Sequence, residues 1–450
     1  MLIRGAKGIL TGLSGASARG VGDIRIEKDK IAAVGSLEPL PGEQIVDAAG
    51  CVVSPGLVST HHHLFQSVMK GAPAGIDLPV ESWLPVVPYR FWNQLDADTM
   101  RLAARVGMTE LLLSGTSTIA DHHYLFAPGL GFKPADILFE VAEELGLRLV
   151  LCRGGATQAQ RFVPKGGEPI PSEPLPKIIR AIEKLARKHH DPSPSAKKRV
   201  VVAPTNLLYS MLPDDLRALA GAARSMGLRM HSHLSEAAAD VAHCLRVHGK
   251  RPVRYAADNG WDGPDVWFAH LVHMDDDEVR LMAESSTGMA HCPQSNCRLG
   301  SGIAPADRLA ALGGRVSLGV DGAASNEACD MISEMHCAWQ IHRAAKGPAA
   351  VTADQVLHWA TAGGADVLGL TEVGTIAPGM QADIALFELS GPRYAGLHDP
   401  LLAPVIGGGA PRLRALYVAG REVVRDGVIP GIDLERINAE ADQAVRRMVA

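Results

Sequence analysis

Pro55-Gly56-Leu57-Val58-Ser59-Thr60-His61-His62-His63 reads as a short apolar strand that ends in two histidines one residue apart. Side chains two apart on a strand share a face, so His61 and His63 point one way and His62 the other. An isolated pair of this kind is more often two hydrogen-bonded core histidines than half of a metal site. This pair is not isolated. Met230-His231-Ser232-His233-Leu234-Ser235-Glu236 repeats the pattern and adds a carboxylate three residues past the second histidine. Here His233 suits a ligand and Glu236 a general base, while His231, deeper on the same face, suits a packed and hydrogen-bonded core position. Val316-Ser317-Leu318-Gly319-Val320 leads in the same way to Asp321. That carboxylate is either a helix N-cap or a fourth ligand, and the convergent imidazoles favour the ligand.

Outward from these stretches the chain alternates. Strand-like runs end near His61, Asp121, Arg153, Asn206, His233, His270, His291 and Asp321, with helical periodicity between them, as at Leu102, Val106 and Leu113 in the segment that begins at Asp98. Eight strand-helix alternations predict an α/β fold, a parallel (β/α)₈ barrel with its chemistry at the carboxyl ends of the strands. Short β runs at Ile24–Ile26, Ile31–Val34 and Val52–Val53 return near the other end at Ala382–Phe387 and Ala415–Val424. Residues 1–57 and 371–450 are therefore expected to form one small β-sandwich domain, and 58–370 the catalytic barrel. The proline-rich stretch Phe162–Lys198 reads as a surface excursion after the third strand, and Lys197-Lys198-Arg199 as a solvated connection.

Composition narrows the function classes. The 44 Lys+Arg and 49 Asp+Glu leave a net charge of −5 without a basic stripe, which argues against nucleic acid as a partner. No run approaches the ~20 apolar residues needed to span a bilayer. Seven scattered cysteines, and an amino-terminal stretch with no apolar signal-peptide core, fit reduced thiols in the cytoplasm.

With His61, His63, His233, Glu236, Ala269-His270, His291-Cys292-Pro293-Gln294-Ser295-Asn296, Gly319-Val320-Asp321-Gly322-Ala323-Ala324-Ser325-Asn326 and Gly374-Thr375-Ile376-Ala377-Pro378-Gly379-Met380-Gln381-Ala382-Asp383-Ile384 in view, the chain resembles the amidohydrolase superfamily over nearly its whole length. Within it the chain resembles the chlorohydrolase and aminohydrolase branch that contains guanine, cytosine and adenosylhomocysteine deaminases. Glu327 departs from the aspartate usual after Ser325-Asn326. The resemblance implies a divalent metal held by His61, His63, His233 and Asp321, with His270 near the metal's water, Asp321 and His270 as the catalytic groups that orient the hydroxide, and Glu236 as proton shuttle. Binuclear relatives bridge two metals with a lysine at the end of strand four; Val200–Asn206 holds none, so one ion is expected, zinc first, with iron also fitting. Such an ion lowers the pKa of bound water from about 15.7 to about 7 and so supplies hydroxide.

For substrate contact the candidates are Gln66, Trp83, the His122-His123 pair and Arg153, each with a structural alternative: a capping amide, a core aromatic, a solvated loop, a salt-bridged arginine. Gln66 and Arg153 together could read the lactam edge of a 2-amino-4-oxo ring. Gly-Leu-Val before His-x-His, Gln66 and Glu81-Ser82-Trp83-Leu84 are similar to the 8-oxoguanine and isoxanthopterin deaminase subgroup. The implied activity is hydrolysis of a C–N bond in a cyclic amidine of a small heterocycle, with release of ammonia. A triazine amino- or chlorohydrolase and a non-catalytic scaffold are the alternatives; intact ligands with Glu236 and His270 argue against a scaffold. Oligomeric state stays open, a homo-oligomer included. The His-x-Glu and Pro-Cys-x-x-Cys motifs of the other zinc deaminase architecture are absent.

Overall fold

Eight parallel strands follow one another in chain order around a single sheet: β1 (Leu57–Ser59), β2 (Thr116–His123), β3 (Arg148–Arg153), β4 (Lys198–Val202), β5 (Met230–Leu234), β6 (Val266–His270), β7 (Gly288–His291) and β8 (Val316–Leu318). The structure, a computed structural model, describes residues 1–127, 129–161, 168–409 and 412–449. The sheet closes where β8 returns to β1: Thr60 N–H donates to Leu318 O at 2.9 Å and Asp321 N–H to His61 O at 3.1 Å. Gly319 permits this seam, since a Cβ there would stand 2.7 Å from the His61 Cβ. This is the barrel that the alternation predicts. β2 runs two residues beyond Asp121, and β4 stops at Val202, four short of Asn206.

Strand parity fixes what faces the lumen. On β3, Val150 and Cys152 join Val58, Ala120, Val201, Trp267, Ala269 and Ala290 in the inner core, while Leu149 and Leu151 belong to the large core shared with the surrounding helices. Such two-sided burial is what apolar runs in parallel strands require. The helix Ala97–Leu113 begins one residue before the expected Asp98, because the Asp96 side chain accepts from Thr99 N–H at 2.7 Å and caps it.

Both ends of the chain enter β-structure outside the barrel. Cys51–Pro55 pairs antiparallel with Ile384–Glu388 inside a six-stranded sheet, and Leu2–Arg4 lies in a separate four-stranded sheet. Ile3, Ile9, Ile24, Ile26, Val53, Ile384, Leu386 and Tyr417 pack between them in a core of their own. The carboxyl-terminal segment departs from the all-β expectation: Leu434–Val449 is a helix whose Ile437 and Ala444 pack on Leu102 of the helix Ala97–Leu113. Its apolar residues recur at helical spacing and cover a barrel helix instead of a sheet. No described helix is long and apolar enough to cross a membrane.

Candidate active site

Hydrogen bonds fix the tautomers of the histidines at the carboxyl end of the barrel. His231 Nδ1 lies 3.0 Å from Trp267 O, and a carbonyl only accepts, so this nitrogen carries the proton. Burial pushes His231 down to about 3, so it is neutral and its Nε2 is an acceptor. That Nε2 stands 2.8 Å from His61 Nδ1, which therefore donates and leaves the His61 Nε2 lone pair facing the lumen. The same logic turns His63 and His233 inward: their Nδ1 atoms donate to His122 O and Thr205 O, each at 2.7 Å. Burial also holds His61, His63 and His233 below the ordinary imidazole value. Three neutral imidazoles thus point bare lone pairs at one another, with His63 Nε2 and His233 Nε2 3.1 Å apart.

Asp321 completes the set. Its Oδ2 accepts from Ser295 Oγ at 2.6 Å and Ser325 Oγ at 3.0 Å, and its Oδ1 faces His61 Nε2 at 3.4 Å and His63 Nε2 at 3.3 Å. Burial opposes the charged form, yet the facing His61 and His63 hold this carboxyl well below the usual carboxylate range. It is not an N-cap, since Gly322 occupies that position for Ala323–Asn326. Ligand atoms around a tetrahedral ion with bonds of about 2.0–2.1 Å stand about 3.3–3.4 Å apart, which is the spacing of Asp321 Oδ1 from His61 Nε2 and His63 Nε2. Each of the three rings also has its other nitrogen held, the support that a metal-bound histidine usually has. On strand four, Lys198 sits at the opposite end and pairs with Glu143 on the surface.

Beside the cluster, His270 Nδ1 contacts Asn296 Oδ1 at 3.0 Å, which turns its Nε2 toward Glu236 Oε2 at 3.7 Å. Burial works against a charged His270, but the Glu236 and Asp321 carboxylates raise it above the ordinary value. Burial raises the Glu236 carboxyl to about 7. Ser295, Ser325 and Asn296 carry no role in the sequence reading, although all three lie in motifs that it singles out. Hydroxyls and an amide one helical step behind a ligand were the available signal.

Glu236 joins two chambers. The inner one, about 500 Å³, is lined by His63, His233, His270 and Asp321 together with Gln66 and Trp83. The outer one, about 940 Å³, shares Tyr89, Tyr124 and Glu236 with it and extends to Gln158, Gln160 and Glu173. Gln66 Nε2 donates to Tyr124 Oη at 3.2 Å, and its buried Oε1 has no hydrogen-bond partner. A Cβ at residue 322 would come within 2.0 Å of that oxygen, so glycine there makes room for the amide. The buried Trp83 Nε1 is also without a partner.

Arg153 and His123 depart from their expected places. Arg153 has the parity of Leu149 and Leu151, so it turns into the helix-facing layer. There it donates to Glu173 Oε2 and Gly154 O, each at 2.7 Å, and lies over the Phe126 ring, outside the lining of either chamber. His123 is fully buried on the outward face of β2, between Phe65 and Phe126. His122, its neighbour, faces the ligands. The proline-rich excursion is not all surface: Ile170, Pro171 and Glu173 wall the outer chamber, and residues 162–167 lie outside the described set.

The family model described as Amidohydrolase family matches residues 52–423. An isoxanthopterin deaminase from an unknown prokaryotic organism is 50% identical over 467 aligned positions, covering 100% of this chain and 97% of the relative. An 8-oxoguanine deaminase of Pseudomonas aeruginosa is 38% identical, covering 98% and 96%. Among solved structures, an amidohydrolase from a Sargasso Sea environmental sample aligns at TM-score 0.88 with 47% identity, covering 100% of this chain and 98% of the other. The atrazine chlorohydrolase of Arthrobacter aurescens complexed with zinc aligns at 0.91 with 28% identity, covering 99% of both chains.

Proposed function

The chain belongs to the amidohydrolase family, and we propose that it is a metal-dependent hydrolytic deaminase. It would release ammonia from the 2-amino group of a 2-amino-4-oxo heterocycle, an isoxanthopterin-like pterin or an 8-oxoguanine-like purine. The observation that carries the metal reading is the meeting of three imidazole lone pairs and a carboxylate, with His63 Nε2 3.1 Å from His233 Nε2 and Asp321 Oδ1 3.3 Å from His63 Nε2 and 3.4 Å from His61 Nε2. Such a convergence of nitrogen and oxygen donor atoms is the kind of set that a divalent cation takes. One ion, zinc before iron, would be held by His61, His63, His233 and Asp321, and when bound it supplies a water acidic enough to attack at neutral pH.

The protein's own groups do the rest. The Glu236 carboxyl, raised to about 7, is poised to accept a proton from the attacking water near neutral pH. It delivers that proton to the ring nitrogen beside the carbon under attack and then carries the remaining hydroxyl proton to the exocyclic amine, which departs as ammonia and leaves an oxo group. His270, its tautomer set by Asn296, orients the water and bears the growing charge. Gln66 offers an acceptor and Trp83 a donor to the edge of the ring. The lactam specificity is supported by these two groups and by the similarity to the isoxanthopterin and 8-oxoguanine deaminases. Seven free cysteines support a reducing compartment, the cytoplasm.

The test is an ammonia-release screen of pterins, oxidised purines, adenine nucleosides, cytosine and triazines with metal-replete protein. Preference for an isoxanthopterin-like or 8-oxoguanine-like compound is expected. Preference for adenosine compounds or chlorinated triazines would overturn the ring assignment, and no turnover of any heterocycle would favour the scaffold alternative.

A further inference from the structure

β1 lies between β8, which leads to Asp321, and β2, which carries His122. His61 and His63 are therefore flanked by a carboxylate on one side and by a further imidazole on the other. His122 is fully buried, and neither of its ring nitrogens has a hydrogen-bond partner. Its ring centroid stands 4.6 Å from that of His233, 5.5 Å from His63 and 5.8 Å from His61. One potential ligand atom from each of His61, His63, His122 and His233 falls within 4.8 Å of all the others, and His61, His270 and Asp321 form a second such group. The cluster thus has two lobes that share His61.

His231 is the control within the same lumen. It is just as buried, but both its nitrogens are engaged, by Trp267 O and His61. A buried imidazole with neither nitrogen engaged forfeits two hydrogen bonds that water would supply, so an apolar side chain would sit there at lower cost. Ala120, two residues earlier on the same face of β2, is such a residue.

We propose that His122 creates a second, all-nitrogen position for the ion, formed by His61, His63, His122 and His233, in which Asp321 is not required. The inference rests on the metal reading given above. Four imidazoles select a borderline cation such as zinc, copper(II) or nickel(II) and discriminate against magnesium and calcium, which prefer oxygen donors. The one ion then has two stations, one beside the carboxylate, His270 and Glu236, the other on the side of the cluster that His122 flanks.

The experiment loads copper(II) into metal-stripped wild-type protein, Asp321→Asn, and Asp321→Asn combined with His122→Phe. Metal analysis, chelator competition and the nitrogen splitting of the copper electron-paramagnetic-resonance spectrum are the readouts. Wild type and Asp321→Asn should each bind one equivalent, the latter with a four-nitrogen pattern. Adding His122→Phe should weaken that binding at least about tenfold and remove one nitrogen from the pattern. Loss of binding in Asp321→Asn alone, or equal affinity and equal splitting in the single and double variants, would overturn the proposal. His122→Gln in the same background replaces the phenylalanine variant if circular dichroism shows that the latter does not fold. Failure of the wild type to bind, or unchanged binding in His61→Ala, would sink the metal reading itself.

Discussion

Arg148 at the amino-terminal end of the barrel and the histidine cluster at the carboxyl-terminal end treat buried polar groups in opposite ways. At the amino-terminal end, Arg148 is fully buried and richly paired: Nε donates to Asp383 Oδ2 at 2.7 Å, Nη2 to Asp383 Oδ1 at 3.0 Å and to Gln381 Oε1 at 2.9 Å, and Nη1 to Ser195 O. Asp383 Oδ1 also accepts from Ala419 N–H at 2.7 Å, so one ion pair ties the third barrel strand to the β-structure. At the carboxyl-terminal end, His61 Nε2, both nitrogens of His122, Gln66 Oε1 and Trp83 Nε1 have no partner. Polar groups that complete one another inside the chain hold a structure together. Groups that converge without completing one another mark where something else must bind.

Substitutions should separate the two ends. At the carboxyl end, His61→Ala should cost the metal and essentially all turnover, while thermal unfolding of the metal-free protein stays close to that of metal-free wild type. Glu236→Gln should keep both metal and fold and lose about 10²–10⁴ in kcat, roughly 3–5 kcal/mol of barrier. Near-normal turnover there would assign the proton transfer to another group. At the amino end the order reverses. Arg148→Ala leaves the Asp383 carboxylate buried and unpaired, which should cost about 3–5 kcal/mol of stability by denaturant unfolding. The kcat of its folded fraction should be unchanged, and a kcat that fell with stability would break the division. Smaller again is Ser295→Ala, which removes one of two hydroxyls on Asp321 Oδ2. About 10–100-fold weaker metal retention in chelator competition is expected, without loss of stability.

How far the sequence could be read depends on which end is considered. His-x-His at the end of an apolar run is a local signal, and so are His233 with Glu236, and Asp321 after Val320; strand parity puts His61 and His63 on one face, whereas Glu236, of opposite parity to His233, enters the site past the left-handed backbone of Ser235. The same parity, applied to Leu149, Leu151 and Arg153, turns Arg153 away from the lumen, and applied to Ala120 and His122 it turns His122 inward. Assigning those roles from type of side chain instead of register is what misplaced Arg153 and His123. Arg148 with Asp383 was not legible, because the partners are 235 residues apart and nothing local in either stretch marks the other. The helix Leu434–Val449 carries its signal in Leu434, Ile437, Ala441, Ala444 and Met448, which the surrounding β-texture hid.

The smallest effect concerns charge within the carboxyl-terminal end. Glu236 must be ionised to accept the first proton, so kcat/KM should rise with pH and level off above a limb set by this carboxyl, which burial raises to about 7. Among the carboxylates that push it up is Asp240, whose Oδ2 also accepts from Glu236 N–H at 3.0 Å and Ala237 N–H at 3.1 Å. In Asp240→Asn the amide oxygen can keep those two bonds, while the amide nitrogen turns to the Tyr209 hydroxyl, which now lies 2.8 Å from Oδ1. Geometry is thereby retained and one negative charge is lost. A neighbouring like charge disfavours ionisation, so its removal lowers the Glu236 value, and the acidic limb should move to lower pH by less than about one unit. The variant would then keep more of its plateau activity at pH 6 than wild type does. Asp240 also helps to hold His270 above its ordinary value, so an alkaline limb set by His270 should move down with it. An acidic limb that stays in place, or that moves up, would mean that a group other than Glu236 governs it.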